Sequence, residues 1–144
     1  MFRAFDISAS ALTMNKLRMD TIAQNIANAQ TTRTADGQPY RRKVVVVGEK
    51  EFAKSFSQYL AESGVRFSGS GVKAVRIQPD PSPYKRVYDP GHPDADEEGY
   101  VLMPNVDTTR EIVDMISATR SYEANVTAFN ASKSLAMKAL EIGR

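Results

Sequence analysis

The stretch EIVDMISATRSYEANVTAFNASKSLAMKAL, Glu111 to Leu140, decides the fold. Ile112, Met115, Thr119, Tyr122, Val126, Phe129, Lys133, Ala136 and Leu140 step by three and four, the spacing that puts side chains on one face of an α-helix. Thr119 and Lys133 are polar, so the stripe is imperfect. Thr108 and Glu111 form a T-x-x-E capping pattern, Glu111 and Asp114 sit where the helix dipole favours anions, and Lys138 and Gly143 suit the other end. The spacing predicts one long amphipathic helix filling the C-terminal part of the chain.

A matching pattern stands at the other end. Phe5, Leu12, Met19 and Ile26 lie seven apart, with Ala9, Ile22, Ala23 and Ala29 on the flanks. This predicts a helix from Phe5 to Ala29, capped by Asp6 or Ser8 and on the order of 37 Å long. Asn25, Asn28, Thr21, Thr31 and Thr32 compete for backbone hydrogen bonds, so the segment is a poor helix in isolation.

Between the helices the period changes. RRKVVVVGE is β-branched, GVKAVRIQ alternates, and KRVYD and YVLM read as further short strands. The run EFAKSFSQYL, Glu51 to Leu60, fits a helical face as well as a strand. Of the seven prolines, six fall between Pro79 and Pro104, which marks that part as turns and extended chain. The expected fold class is therefore α+β: long N- and C-terminal helices (1–32 and 107–144) around a small β-rich insert (33–106).

At 144 residues the length suffices for one domain. A formal charge of +2 without a sustained basic stripe argues against nucleic acid as a partner. The absence of cysteine excludes disulfides, thiolate nucleophiles and cysteine-based zinc sites. Thr13, Asn15, Lys16, Arg18 and Asp20 interrupt any apolar run near the start, so neither a cleavable secretory signal nor direct membrane insertion is expected.

The stretch YDPGHPDADEEGY, Tyr88 to Tyr100, holds the single histidine, His92, among Asp94, Asp96, Glu97 and Glu98. It lacks the ligand spacing of a calcium loop and has no nucleophile or second histidine beside it, whereas Pro90, Gly91 and Pro93 describe a turn. The expectation is a solvated acidic turn with no catalytic residue, metal or cofactor. The rival is a small metal-dependent enzyme centred on His92. Arg41, Arg42 and Lys43 read as the exposed lip of an edge strand, and Gly69 to Gly71 as a bend without a phosphate-loop pattern.

Two helices of this length raise the question of what covers their apolar stripes, since isolated helices are marginal in water and one pair buries one seam. Neighbouring subunits are the natural supply, and the chain ends are expected to order fully only on assembly.

Three blocks carry a family resemblance: MDTIAQNIANAQTTRTADGQPYRRK (Met19 to Lys43), DPSPYKRVYDPGHPDADEEGYVLMPNVD (Asp80 to Asp107), and the C-terminal stretch quoted first. The first resembles the N-I-A-N-A-N-T-P-G-Y type run that follows the N-terminal helix in the rod, hook and hook-associated axial proteins of the bacterial flagellum, departing from it at Gln30 and Thr32. The match is weakest from Val44 to Gly71.

The resemblance implies a structural subunit of the proximal rod of the basal body. Its terminal helices would pair as an antiparallel coiled coil and pack with copies of the chain and other rod proteins into a tube around the export channel. The type III export apparatus would be the further partner, delivering the chain across the cytoplasmic membrane to the periplasmic rod. Leu12, Met19, Ile22 and Ile26 against Ile112, Met115, Tyr122, Val126, Phe129 and Leu140 are the expected assembly residues, with Asn25, Asn28, Asn125 and Asn130 as candidates for setting register between neighbours. A soluble coiled-coil adaptor or chaperone is the other alternative.

Overall fold

The computed structural model describes residues 2–50 and 71–142. Two helices, α1 (Phe2–Ala27) and α2 (Thr108–Ile142), enclose the strands β1 (Lys43–Glu49), β2 (Val72–Pro79), β3 (Lys85–Tyr88) and β4 (Tyr100–Met103). The α+β class read from the sequence is the one observed. The run Glu51 to Leu60, ambiguous by pattern, lies outside the described residues.

The helices run antiparallel. Phe5 meets Phe129 edge-on with ring centroids 5.0 Å apart, the Thr119 hydroxyl points at the Met19 sulfur, and Asn25 reaches Glu111. Each step forward along α1 is thus matched by an equal step back along α2.

Both helix starts differ from expectation. Asp6 and Ser8 lie inside α1, which already begins at Phe2. The N-cap of α2 is Asp107, whose Oδ1 accepts the amides of Thr109 and Arg110, while the Glu111 side chain turns inward instead of closing a capping box with Thr108.

The strands form two antiparallel pairs, β1–β2 and β3–β4. In the first pair Val46 stands opposite Arg76 and Val47 opposite Ala74, so Val75 is the extra residue of a bulge. This pair docks on α1, where the Ser10 hydroxyl oxygen accepts the Val72 amide at 3.2 Å. Among the described residues the buried apolar side chains are Ile22, Tyr40, Val101, Pro104, Val106 and Ala118, all but Ala118 on α1 or the insert, and the buried polar set of Ser8, Asn15, Thr21, Asn25 and Glu111 is nearly as large.

Candidate assembly interface

The face of α2 turned to α1 is centred on Glu111, Met115, Ala118, Tyr122, Asn125, Phe129, Ser132 and Ala136, all buried or half-buried. Their steps of four and three make a heptad seam. On α1 the facing residues include Phe5, Leu12, Met19, Ile22 and Ile26, again buried or half-buried. Met115, Tyr122, Val126 and Phe129 thus lie on or beside the seam between the two helices of this chain. Ile112 and Leu140 do not: they are 51% and 76% exposed. Glu111, one residue earlier, takes the place assigned to Ile112, and Leu140 lies beyond the reach of α1. Past Phe129, α2 continues to Ile142, roughly 20 Å at about 1.5 Å per residue, whereas α1 has only a few residues before Phe5.

Glu111 can sit inside because its charge is met there. It is fully buried; Oε1 accepts Arg42 Nε at 2.6 Å and Oε2 accepts Asn25 Nδ2 at 3.0 Å. Asn25, 1% exposed, uses its whole amide: Nδ2 also donates to the Lys43 carbonyl, and Oδ1 accepts the Lys43 amide and the Tyr40 hydroxyl. One side chain therefore ties α1 to the entry of β1 and to the first turn of α2. Asn25 is an internal clamp rather than a register contact between neighbours, and Asn28 and Asn125 bond carbonyls one turn back in their own chain, at Gln24 and Ser121.

Arg42 extends the network. Its Nη1 lies 3.2 Å from Asp80 Oδ2 and its Nη2 3.6 Å from Asp114 Oδ2, while its backbone amide donates to Asn105 Oδ1. Burial works to lower the guanidinium pKa, but the Glu111 hydrogen bond and charge, joined by those of Asp80, outweigh it and raise the pKa. Burial, with the Glu111 charge nearby, raises the Tyr40 phenol. Asp80 is held below its ordinary value by hydrogen bonds from the Ser82 hydroxyl and amide, helped by Arg42 and opposed by partial burial.

The exposed lip expected of Arg41, Arg42 and Lys43 is corrected by these contacts, since Arg41 also stacks on the Tyr84 ring at 4.5 Å and Lys43 Nζ reaches Gln24. No pattern in the sequence distinguishes a basic triplet that faces solvent from one that faces a buried carboxylate.

The acidic stretch is a turn linking β3 to β4. Asp96 Oδ1 accepts the amides of Glu98 and Tyr100, and its own amide donates to the Tyr100 carbonyl. Gly99 has φ +80°, and a side chain there would meet the Tyr88 ring and Pro90. His92 Nδ1 accepts the Asp94 amide, and Asp94 itself is engaged by the Thr32 hydroxyl and by Arg33. Among the described residues no group of three or more His, Asp and Glu side chains gathers as metal ligands would.

Exposed apolar side chains gather on α2. Ile112, Val113 and Ile116 near the start of α2, and Leu135, Met137 and Leu140 near its end, are each more than half exposed. Among the described residues no helix is long and apolar enough to cross a membrane.

Comparison with known proteins agrees with this arrangement. The family model described as flagella basal body rod protein matches residues 5–33, which cover most of α1, and the one described as flagellar basal body rod FlgEFG protein C-terminal matches residues 97–142, which cover α2. The chain is 51% identical to the flagellar basal-body rod protein FlgC of Bacillus subtilis, over 99% of this chain and 98% of the relative. It is 43% identical to the FlgC of Borreliella burgdorferi, over 99% and 97%, and 42% identical to that of Escherichia coli O157:H7, over 100% and 98%. With antiparallel terminal helices, an insert clamped between them and relatives this similar from end to end, the chain belongs to the FlgC family of flagellar basal-body rod proteins and is a structural subunit of that rod.

Proposed function

We propose that the chain builds the proximal rod by completing its helix surface on neighbouring subunits, both copies of itself and other rod proteins, in a helical array that surrounds the export channel and transmits torque. The observation that carries this reading is the end of α2, where Leu135, Met137 and Leu140 stand exposed beyond the Phe5–Phe129 contact. Each such side chain contributes roughly 1.5–3 kcal/mol when buried, so three of them favour docking strongly. Leu12, Met19, Ile22, Ile26, Met115, Tyr122, Val126 and Phe129 stiffen each subunit, and Ile112 and Leu140 face its neighbours. Delivery through the type III export apparatus fits a chain destined for the rod.

The test is the pair Leu135→Asp and Leu140→Asp in one chain. Because both residues are exposed, the purified variant should keep wild-type circular dichroism, yet be missing from isolated basal bodies and leave cells non-motile. Normal incorporation would refute the reading.

A further inference from the structure

The register of β3 and β4 places Arg86, Tyr88, Tyr100 and Leu102 on one face of their hairpin. Leu102 is 46% and Tyr88 65% exposed. The tyrosine rings meet edge-on at 5.3 Å, and the Arg86 guanidinium lies 4.7 Å above Tyr100. The hydrogen-bonded turn fixes these side chains, so the face is a preformed patch of the residue types that dominate protein interfaces. Its rim is acidic: Asp89, Asp96, Glu97 and Glu98 are exposed, and Arg86 alone answers Asp96 and Glu98.

A second patch has the opposite sign. Arg110, Val113, Ile116 and Arg120 are exposed and follow three- and four-residue steps, so they share one outward face over the first turns of α2. Among the described residues neither arginine has an ion-pair partner. The two patches sit at the same end of the molecule, since Lys85 of β3 donates to the Val106 carbonyl just before α2.

We infer that these patches are the two halves of one contact: the acid-rimmed tyrosine face of one copy seats on the arginine-flanked face of α2 in the next copy. The inference rests on the rod-assembly reading and names a contact within it. Apolar centres meet while carboxylates face guanidiniums, whereas a two-fold pairing of either patch with itself would oppose like charges. Because the halves are different surfaces, each copy keeps one half open for another, so the contact propagates instead of closing as a dimer.

The lack of cysteine makes the test direct. Two differently tagged copies are co-expressed, one carrying Glu97→Cys and the other Arg120→Cys, and isolated basal bodies are treated with a short flexible bis-maleimide. The expected product carries both tags and is absent when either variant is present alone. Arg110→Glu with Arg120→Glu should lower incorporation at least tenfold, and co-expression with a Glu97→Lys, Glu98→Lys copy should restore part of it. Incorporation of the cysteine variants at wild-type level without the doubly tagged product, or cross-linking to a different protein, overturns the self-contact while leaving the rod reading intact. Absence of the tagged wild-type chain from basal bodies overturns the rod reading itself.

Discussion

Asn25 shows how much one residue can decide. Its amide closes four hydrogen bonds to three residues in two segments distant in sequence, and replacing it by leucine strands the Tyr40 hydroxyl, the Lys43 peptide groups and one oxygen of Glu111 together. We expect Asn25→Leu to destabilise the chain by about 3–5 kcal/mol in urea unfolding followed by tyrosine fluorescence. Asn28→Ala, which removes only local bonds, to the Gln24 carbonyl and from the Thr31 hydroxyl, should cost under about 1 kcal/mol. Similar costs for the two would contradict the clamp. Asp80 adds a pH signature. Its folded pKa lies below the ordinary value of 3.8, so its stabilising contribution is complete above that value and is lost as pH falls toward the folded pKa. The urea midpoint should therefore drop below about pH 4, and Asp80→Asn should flatten that part of the profile; an unchanged slope in the variant would exclude Asp80 as a source.

At the scale of elements, the join between the β1–β2 pair and α1 is the tightest point. Gly71 has φ +89°, and a Cβ there would lie 2.5 Å from the Ser10 hydroxyl and 3.4 Å from the Ile7 Cα. Gly71→Ala should destabilise by roughly 1–3 kcal/mol. Adding Ser10→Ala relieves the contact but not the backbone strain, so it should recover only part of the loss; full recovery in thermal unfolding would mean that the positive φ costs nothing. The same scale shows what the sequence discloses. Both long helices and all four described strands follow from period and β-branched runs, because those patterns report which faces are apolar. The seam on α2 is displaced by one residue for the same reason. Pattern reading assigns Ile112 and Leu140 to the partner face and Glu111 to a cap at the helix start. Folding leaves Ile112 and Leu140 exposed and takes Glu111 inside, because Arg42, distant in sequence, neutralises it. Of the apolar side chains left exposed on α2, the period singles out Ile112 and Leu140, whereas Val113, Ile116, Leu135 and Met137 interrupt no period and carry no motif that would single them out.

For the whole molecule, order should be graded along the helix pair. The insert end holds most of what is buried, with Ile22, Asn25, Tyr40, Val101, Val106, Glu111 and Ala118 around the Arg42 network. Away from it the seam thins to half-buried contacts such as Phe5 on Phe129, and beyond Phe129 only Ser132 and Ala136 are half-buried while Leu135, Met137 and Leu140 are exposed. Helical segments held by so little apolar burial open at low free energy, because propensity alone leaves a short stretch marginal in water. Hydrogen exchange on the dilute purified chain should therefore find protected amides near Ile22 to Asn25 and Met115 to Ala118, and near-unprotected ones from Leu135 to Leu140. In intact basal bodies the latter should become protected by at least tenfold, since neighbours then cover Leu135, Met137 and Leu140. Equal protection along α2 in the isolated chain would show that its end is stable without partners, and would remove the energetic reason for coupling the ordering of the helix to assembly of the rod.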